Sequence, residues 1–271
     1  MPNPRKALFC ACLAPALLAA QPPAQTNSIG MEFVLVPAGG FVMGKFQPAC
    51  APAGMQDNVT EAQHAECVKM AQAAARPGFQ ARIPRPFYIG KHEVTQEQYR
   101  KVMGVNPSWF TQERAGAPSD GYPVDSVSWK DAQAFIRKLN ALEKTKAYRL
   151  PTEVEWECAA RAGTQDELQG AKRQEVAWFQ GNSRNTTHPV GQRKPNAWGA
   201  CDMLGNVWEW VQDWYDQQAQ PRGPKGPASG KEHVLRGGAY NSHEKNTRVS
   251  VHAGGPGSVI NTGFRVVRDV R

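Results

Sequence analysis

The 25 glycines and 21 prolines among 271 residues constrain this chain more than any other feature. Each glycine frees the backbone, and each proline fixes φ and removes a hydrogen-bond donor. A helical bundle needs long uninterrupted segments, so long helices should be few and much of the fold irregular. Eight tryptophans supply large apolar bodies that can hold such loops by tertiary packing. With 41% hydrophobic and 21% charged residues, the composition is that of a soluble globular protein able to bury a full core, in one large domain or two small ones.

Ordered elements announce themselves at a few places. Residues 31 to 44, MEFVLVPAGGFVMG, alternate apolar and other residues around Pro-Ala-Gly-Gly, as two short paired strands would. From about Gln47 to Gln80 the chain is Ala-, Gln- and Pro-rich without strand periodicity. That stretch reads as a surface insertion carrying a short helix over Glu61 to Ala75. Order returns at Phe87-Tyr88-Ile89-Gly90. Three helix starts follow: capping boxes at Thr95 with Gln98 and at Thr152 with Glu155, and between them a start near Ser128 with Asp131 at the third position. Tyr99, Val102 and Met103 give the first an apolar face; Phe135, Leu139 and Leu142 give one to the second; Gly163 stops the third. Beyond it the sequence is Trp-, Asn- and Gly-rich, with strand candidates at Val207 to Val211 and His233 to Arg236. No internal repeat or second domain boundary is visible.

The first 20 residues read as a cleaved secretory signal: Arg5 and Lys6, an apolar run from Ala7 to Ala20, then Gln21-Pro22-Pro23. The cut falls after Ala20 or Ala24, and the mature protein is expected in the periplasm or secreted. Cys10 and Cys12 could suggest lipidation, but both lie too early in the run. That run is too short for a membrane span, and nothing later approaches the ~20 apolar residues one requires. Loss of Arg5 and Lys6 with it would take the formal charge from +8 to +6. The remaining basic residues are scattered, which argues against nucleic-acid binding. Export to an oxidising compartment would favour pairing of the remaining cysteines. Cys50 and Cys67 flank the insertion and would close a local loop, leaving Cys158 with Cys201; four buried free thiols are the alternative.

Several strings in order then carry a resemblance: FVLVPAGGFVMG, FYIGKHEVTQEQYRKVMGVNPSWF, YPVDSVSWKDAQAFIRKLN, RLPTEVEWECAARAG, HPVGQRKPNAWGACDMLGNVWEW, LRGGAY and TGFRVVR. From about Ile29 to Arg268 the chain resembles the formylglycine-generating enzyme, or sulfatase-modifying factor, family. The resemblance implies an α+β, C-type-lectin-like fold: one domain over residues 21–271 with short sheets, three capped helices and much irregular structure. It also implies a cleft lined by Trp208, His243 and Asn261, and often bound calcium. In the family's copper enzymes two cysteines follow a GGSY-like turn and hold Cu(I) as thiolates, soft ligands for a soft metal. Here the turn is Arg236-Gly237-Gly238-Ala239-Tyr240, and those two positions are Ser242 and Thr247. Copper-dependent formylglycine formation, and bound copper, are therefore not expected. The family's calcium motif matches at Asp202, Gly205, Val207 and Glu209, two carboxylates alternating with backbone carbonyls about a glycine turn, a donor set of the hard-oxygen type. Without the resemblance, Asp202 capping a turn and Glu209 pairing with an arginine would be the simpler reading. A second family calcium site is not recognisable around Trp178 to Asn185.

Other chemistry has weaker support. The six histidines show no zinc spacing, and a His243, His252, Glu244 iron site would depend wholly on the fold. Fold alone fixes no reaction. Replacement of both cysteine positions, and of the serine that family enzymes place in the turn by Ala239, while scaffold motifs persist favours a non-catalytic module that binds a protein or peptide partner or serves as an accessory. The competing expectation is a cysteine-independent oxidase or maturation factor acting on a peptide or siderophore precursor, which needs a redox cofactor the sequence does not show.

Overall fold

The computed structural model describes residues 25–46, 60–74, 78–216, 226–255 and 257–270. The expected signal segment lies outside them.

Local sequence places the helices. Capping boxes form at all three expected helix starts, those of α2 (Gln96–Met103), α4 (Trp129–Leu142) and α5 (Glu153–Arg161). In each, the Thr or Ser oxygen accepts from the third residue's N–H while that residue's side chain accepts from the cap's own N–H. Helix α5 stops at Ala162, which sits in the left-handed region with φ 46° just before Gly163. Leu142, counted into the apolar face of α4, is 53% exposed because it lies at the helix's free end, whereas Phe135, Ile136 and Leu139 are buried. The insertion carries α1 (Glu61–Ala74); Ala75, the expected last residue, lies outside the described residues. Two single-turn helices went unforeseen, α3 (Gln112–Ala115) and α6 (Arg173–Val176), being too short for any periodicity.

Strand pairing is mostly non-local. A five-stranded sheet runs β1 (Gln25–Thr26), β2 (Glu32–Val36), β5 (Phe87–Gly90), β13 (Val267–Asp269), β6 (Tyr148–Arg149), antiparallel throughout. The strand near the C-terminus thus sits between β5 and β6, both more than 100 residues earlier in the chain. The expected 31–44 hairpin does not form: β2 pairs with β5, whereas β3 (Gly39–Met43) pairs with β4 (Phe79–Ile83). Phe87 and Ile89 offer β2 an apolar ladder with Val34 and Val36 in register, and β3 and β4 close the base of the insertion instead. Regular structure therefore resumes at Phe79, before the expected boundary. A second sheet of four strands has the order β11 (His252–Gly255), β10 (His233–Arg236), β9 (Trp208–Trp214), β12 (Thr262–Gly263), the last pair being parallel. Strands β7 (Ala177–Trp178) and β8 (Leu204–Gly205) form a parallel pair.

One apolar cluster joins the first sheet to α2 and α4 through Phe33, Tyr99, Phe135 and Phe264, with Tyr99 stacked on Phe135 at 5.5 Å. The other wraps α5 through Trp156, Val211 and Val234. Polar groups also stitch the interior: Arg236 bonds Glu153 and Glu157, and Glu157 also accepts from Arg161 and from the Gly44 N–H. The expected Cys158–Cys201 disulfide is absent. Both thiols are free and buried as small apolar groups, one inside α5 and one beside the Gly199 carbonyl. Burial pushes Cys158 up to about 12 and Cys201 up to about 11, so both stay protonated. Cys67 is disulfide-bonded; its expected partner Cys50 lies outside the described residues.

Candidate functional site

The turn after β10 carries three of the expected cleft residues, Ser242, His243 and Thr247. Gly237 and Gly238 both take positive φ, 90° and 82°, and a Cβ on Gly238 would meet the Asn246 carbonyl at 3.0 Å, so the chain can fold back only through glycine here. Ala239 and Tyr240 follow, fully buried. Ser242 closes the turn: its Oγ accepts from the Ala239 N–H at 2.9 Å, and its own N–H donates to the Ala239 carbonyl at 2.9 Å. A 3-10 turn over Glu244–Asn246 comes next, capped by His243, whose Nδ1 accepts from the Lys245 N–H at 3.2 Å. The Thr247 hydroxyl donates to the His243 carbonyl at 3.3 Å.

An aromatic cluster packs directly against this turn. Trp208, at the start of β9, packs with Phe110, Ala239 and Tyr240, and Phe110 meets Tyr240 edge to face at 5.0 Å. Phe110 is held by Asp125, whose carboxylate accepts from the Trp109 and Phe110 N–H groups at 2.6 and 3.2 Å, and by Gln96, which donates to the Phe110 carbonyl at 3.0 Å. The Asn261 carbonyl accepts from the Trp208 N–H at 2.8 Å, and its amide donates to Asn241 Oδ1 at 3.0 Å. Next to these anchors the surface is apolar: Trp109 is 45% exposed, Val259 38% and Ile260 41%. Arg114 lies over the Trp109 ring, 3.8 Å from its centroid.

Of the expected cleft residues, Trp208, Ser242, Thr247 and Asn261 thus gather around one turn. His243 is on the same turn but exposed, and acts as a cap. Phe110, Asp125 and Gln96 were missed; the NPSWF string marks the Phe110 loop without showing that Gln96 and Asp125, 14 residues before Phe110 and 15 after it, hold it. Ser242 and Thr247 offer hydroxyls already bonded within the turn, and the free thiols of Cys158 and Cys201 belong to α5 and to the segment before β8. The donor set at the turn does not fit Cu(I). Nor do His243, His252 and Glu244 assemble: His252 Nδ1 lies 2.9 Å from Glu153 Oε1 and Glu244 pairs with Arg173 at 3.3 Å. Among the described residues no group of three or more His, Cys, Asp or Glu could hold a metal.

The residues of the calcium motif sit in a buried network of hydrogen bonds and ion pairs. Both oxygens of Glu209 accept from Arg265 at 2.6 Å, and Oε2 also accepts from Trp156 Nε1 at 2.7 Å. Arg265, fully buried, donates further to the carbonyls of Gly90, Cys201 and Asp202. Gly205 has φ 80°, and a Cβ there would stand 2.0 Å from the Trp178 carbonyl oxygen. The Val207 N–H faces Glu93 Oε1 at 3.3 Å, and Asn206 donates to the other oxygen of Glu93 at 3.0 Å. Burial, then Asp202 and Glu209, raise Glu93 well above the usual carboxylate range. Asp202 accepts from the Gly191 N–H at 2.6 Å through Oδ2, while Oδ1 has no hydrogen-bond partner. Arg265 and Trp156 take three of the four lone-pair sites of Glu209, so this carboxylate serves first as the anchor of the buried guanidinium. Arg265 was missed in the sequence; a lone charge inside the apolar run Phe264-Arg265-Val266-Val267 was the available signal.

Comparison with known proteins agrees with this fold. The model of the sulfatase-modifying factor enzyme 1-like domain matches residues 19–270. A chaperone protein, LppX, of Paenibacillus barcinonensis is 31% identical over 67% of this chain and 80% of its own length. The formylglycine-generating enzyme of Streptomyces coelicolor is 35% identical over 57% of this chain, which spans 56% of that enzyme. Among solved structures, Treponema denticola variable protein 1 superposes with a TM-score of 0.73 at 26% identity, covering 92% of this chain and all of that one. PvdO from Pseudomonas aeruginosa does so with 0.71 at 22% identity, covering 93% of this chain and all of that one.

Proposed function

The chain belongs to the sulfatase-modifying factor enzyme 1-like family, and on that premise we propose that it is an exported partner-binding or accessory member without formylglycine-generating activity. The observation that carries this is the state of the turn. Where the family's copper chemistry needs two thiolates, Ser242 and Thr247 present hydroxyls that close the turn on itself. What the cleft does offer is a recognition surface: a half-buried Trp208 on a fixed aromatic wall, the paired amides of Asn241 and Asn261, and exposed Trp109, Val259 and Ile260 beside them. Rigid aromatic anchors with a polar rim are the composition of binding hot spots. An extended peptide or protein loop with an apolar side chain suits this arrangement, and a relative named as a chaperone supports a partner-binding role. No helix among the described residues is long and apolar enough to cross a membrane.

Two measurements test the reading. A sulfatase-type cysteine peptide incubated with the protein and copper should yield no formylglycine by mass spectrometry; its appearance would overturn the proposal. Peptides enriched from a display library on the immobilised protein should bind about tenfold more weakly to Trp109→Ala or Ile260→Asp, the loss of one hot-spot contact, and unchanged to Leu142→Ala. Equal binding to all three would place recognition elsewhere.

A further inference from the structure

Basic residues are scattered along the sequence, but the fold gathers several of them at one place. Between Lys130 and Lys146 the chain carries five cations, Lys130, Arg137, Lys138, Lys144 and Lys146, against two carboxylates, Asp131 and Glu143. Positions seven and eight apart in a helix return to the same face, so Lys130, Arg137 and Lys138 share the side of α4 turned away from the buried Phe135, Ile136 and Leu139. Lys144 and Lys146 continue from its C-terminal end, and all five are exposed.

Neither carboxylate is turned to these cations. Asp131 caps its own helix, accepting from the Ser128 N–H at 2.9 Å, and Glu143 accepts from the Ser28 N–H at 3.0 Å. Among the described residues none of the five cations forms an ion pair. Helix α2 is the contrast: there Arg100 pairs with Asp120 and Lys101 with Glu97. Apolar surface lies at the same end of α4. Leu142 is 53% exposed and Val270 45%. Val270 follows Asp269, whose N–H donates to the Ala147 carbonyl at 3.0 Å, which sets it beside the turn carrying Lys144 and Lys146. Asp269 itself is paired with Arg149 at 2.8 Å.

We infer that α4 and the turn after it form a docking face for an anionic lipid surface, with the five cations among the headgroup phosphates and Leu142 and Val270 at the boundary between headgroups and acyl chains. Unpaired positive charge selects an anionic occupant. The apolar residues among the lysines select a lipid one, since lysine stems lie along apolar surface while their ammonium heads stay in the polar layer. A nucleic acid duplex would take the cations and leave Leu142 and Val270 in water. A single strand would stack its bases on aromatic side chains, and none of the exposed residues from Lys130 to Lys146 is aromatic. The face shares no residue with the Trp109 and Trp208 cleft and stands or falls independently of the function proposed for that cleft.

The test sediments the full chain with vesicles of phosphatidylcholine alone and with vesicles in which about half the lipid is phosphatidylglycerol. Binding to the anionic vesicles only, weakening as salt is raised, is expected. Each Lys or Arg close to such a surface strengthens binding about fivefold, so the double variant Arg137→Gln with Lys138→Gln should weaken it about 25-fold. Arg82→Gln with Arg85→Gln, two exposed cations in β4 and just after it, should leave it nearly unchanged. Leu142→Asn should weaken binding and keep its salt dependence. Every altered side chain is exposed, so melting temperatures should match the parent and the losses report docking rather than folding. Equal binding to the two kinds of vesicle, equal losses in the two double variants, or full binding by Leu142→Asn together with tighter binding to a DNA duplex would overturn the inference. So would loss of vesicle binding in Trp109→Ala with none in the α4 double variant, which would move the contact to the cleft.

Discussion

Replacing Glu209 by Gln tests whether this residue anchors Arg265 or serves an ion. Glu209 and Arg265 are 1% and 0% exposed, joined by two 2.6 Å bonds. The substitution leaves a guanidinium in the core with a neutral amide opposite it, and the carbonyls of Gly90, Cys201 and Asp202 as its remaining acceptors. Breaking one side of a buried pair typically costs about 3–5 kcal/mol, mostly through the stranded charge. Here Asp202 and Glu93 lie close enough to interact electrostatically with Arg265, so the lower half of that range is expected. In a domain of this size about 3 kcal/mol lowers Tm by roughly 6–12 °C. Thermal and urea unfolding in EDTA should show the loss in full. The double variant Glu209→Leu with Arg265→Met should recover much of it, since an apolar pair removes the stranded charge. A loss below about 1 kcal/mol in EDTA, growing only when calcium is present, would refute the ion-pair reading and restore Glu209 as a calcium ligand.

Three further outcomes follow from the same geometry. One millimolar calcium should move Tm by under about 1 °C, whereas an ion held by Asp202 and Glu209 at ~100 times its dissociation constant would add about 2.7 kcal/mol. His92, held down to about 4 by burial first and then by Arg265 and Lys91, favours folding fully above pH 6.5 and loses that contribution as pH falls toward 4, because only the unfolded chain takes up the proton in that window. His92→Gln should flatten this limb of the stability curve by up to about 3 kcal/mol, measured against the parent because Asp202, pushed up to about 6 by burial, slopes the opposite way. N-terminal sequencing of protein recovered from the periplasm or medium should begin after Ala20 or Ala24, and an intact Met1 there would contradict export.

What the sequence disclosed about the fold was what is local. A capping box is a four-residue event, so Thr95, Ser128 and Thr152 could be placed on sight. Pairing across distance could not. The Pro-Ala-Gly-Gly segment has the chemistry of a hairpin turn, yet the strands on either side choose β5 and β4 because burial, not turn chemistry, decides register when both alternatives exist. The place of Val267–Asp269 between β5 and β6 leaves no trace in any window of the chain.

The site shows the same division, with a chemical consequence. The resemblance located Ser242 and Thr247, but not the work their hydroxyls do. Sulfur is a weak acceptor and a thiol a weak donor, so a cysteine at 242 would close the Ala239 turn less well than serine does at 2.9 Å. The hydroxyl at this position therefore adds an internal bond to the turn at the same stroke as it withdraws a soft ligand. A turn fixed in this way holds Tyr240 against Phe110, and through them the Trp208 wall, in one arrangement without needing an ion. For a surface that recognises a partner this is an advantage, since order present before binding need not be supplied by the partner. On the function proposed above, the hydroxyls at the turn serve recognition for the same physical reason that they make poor ligands for copper.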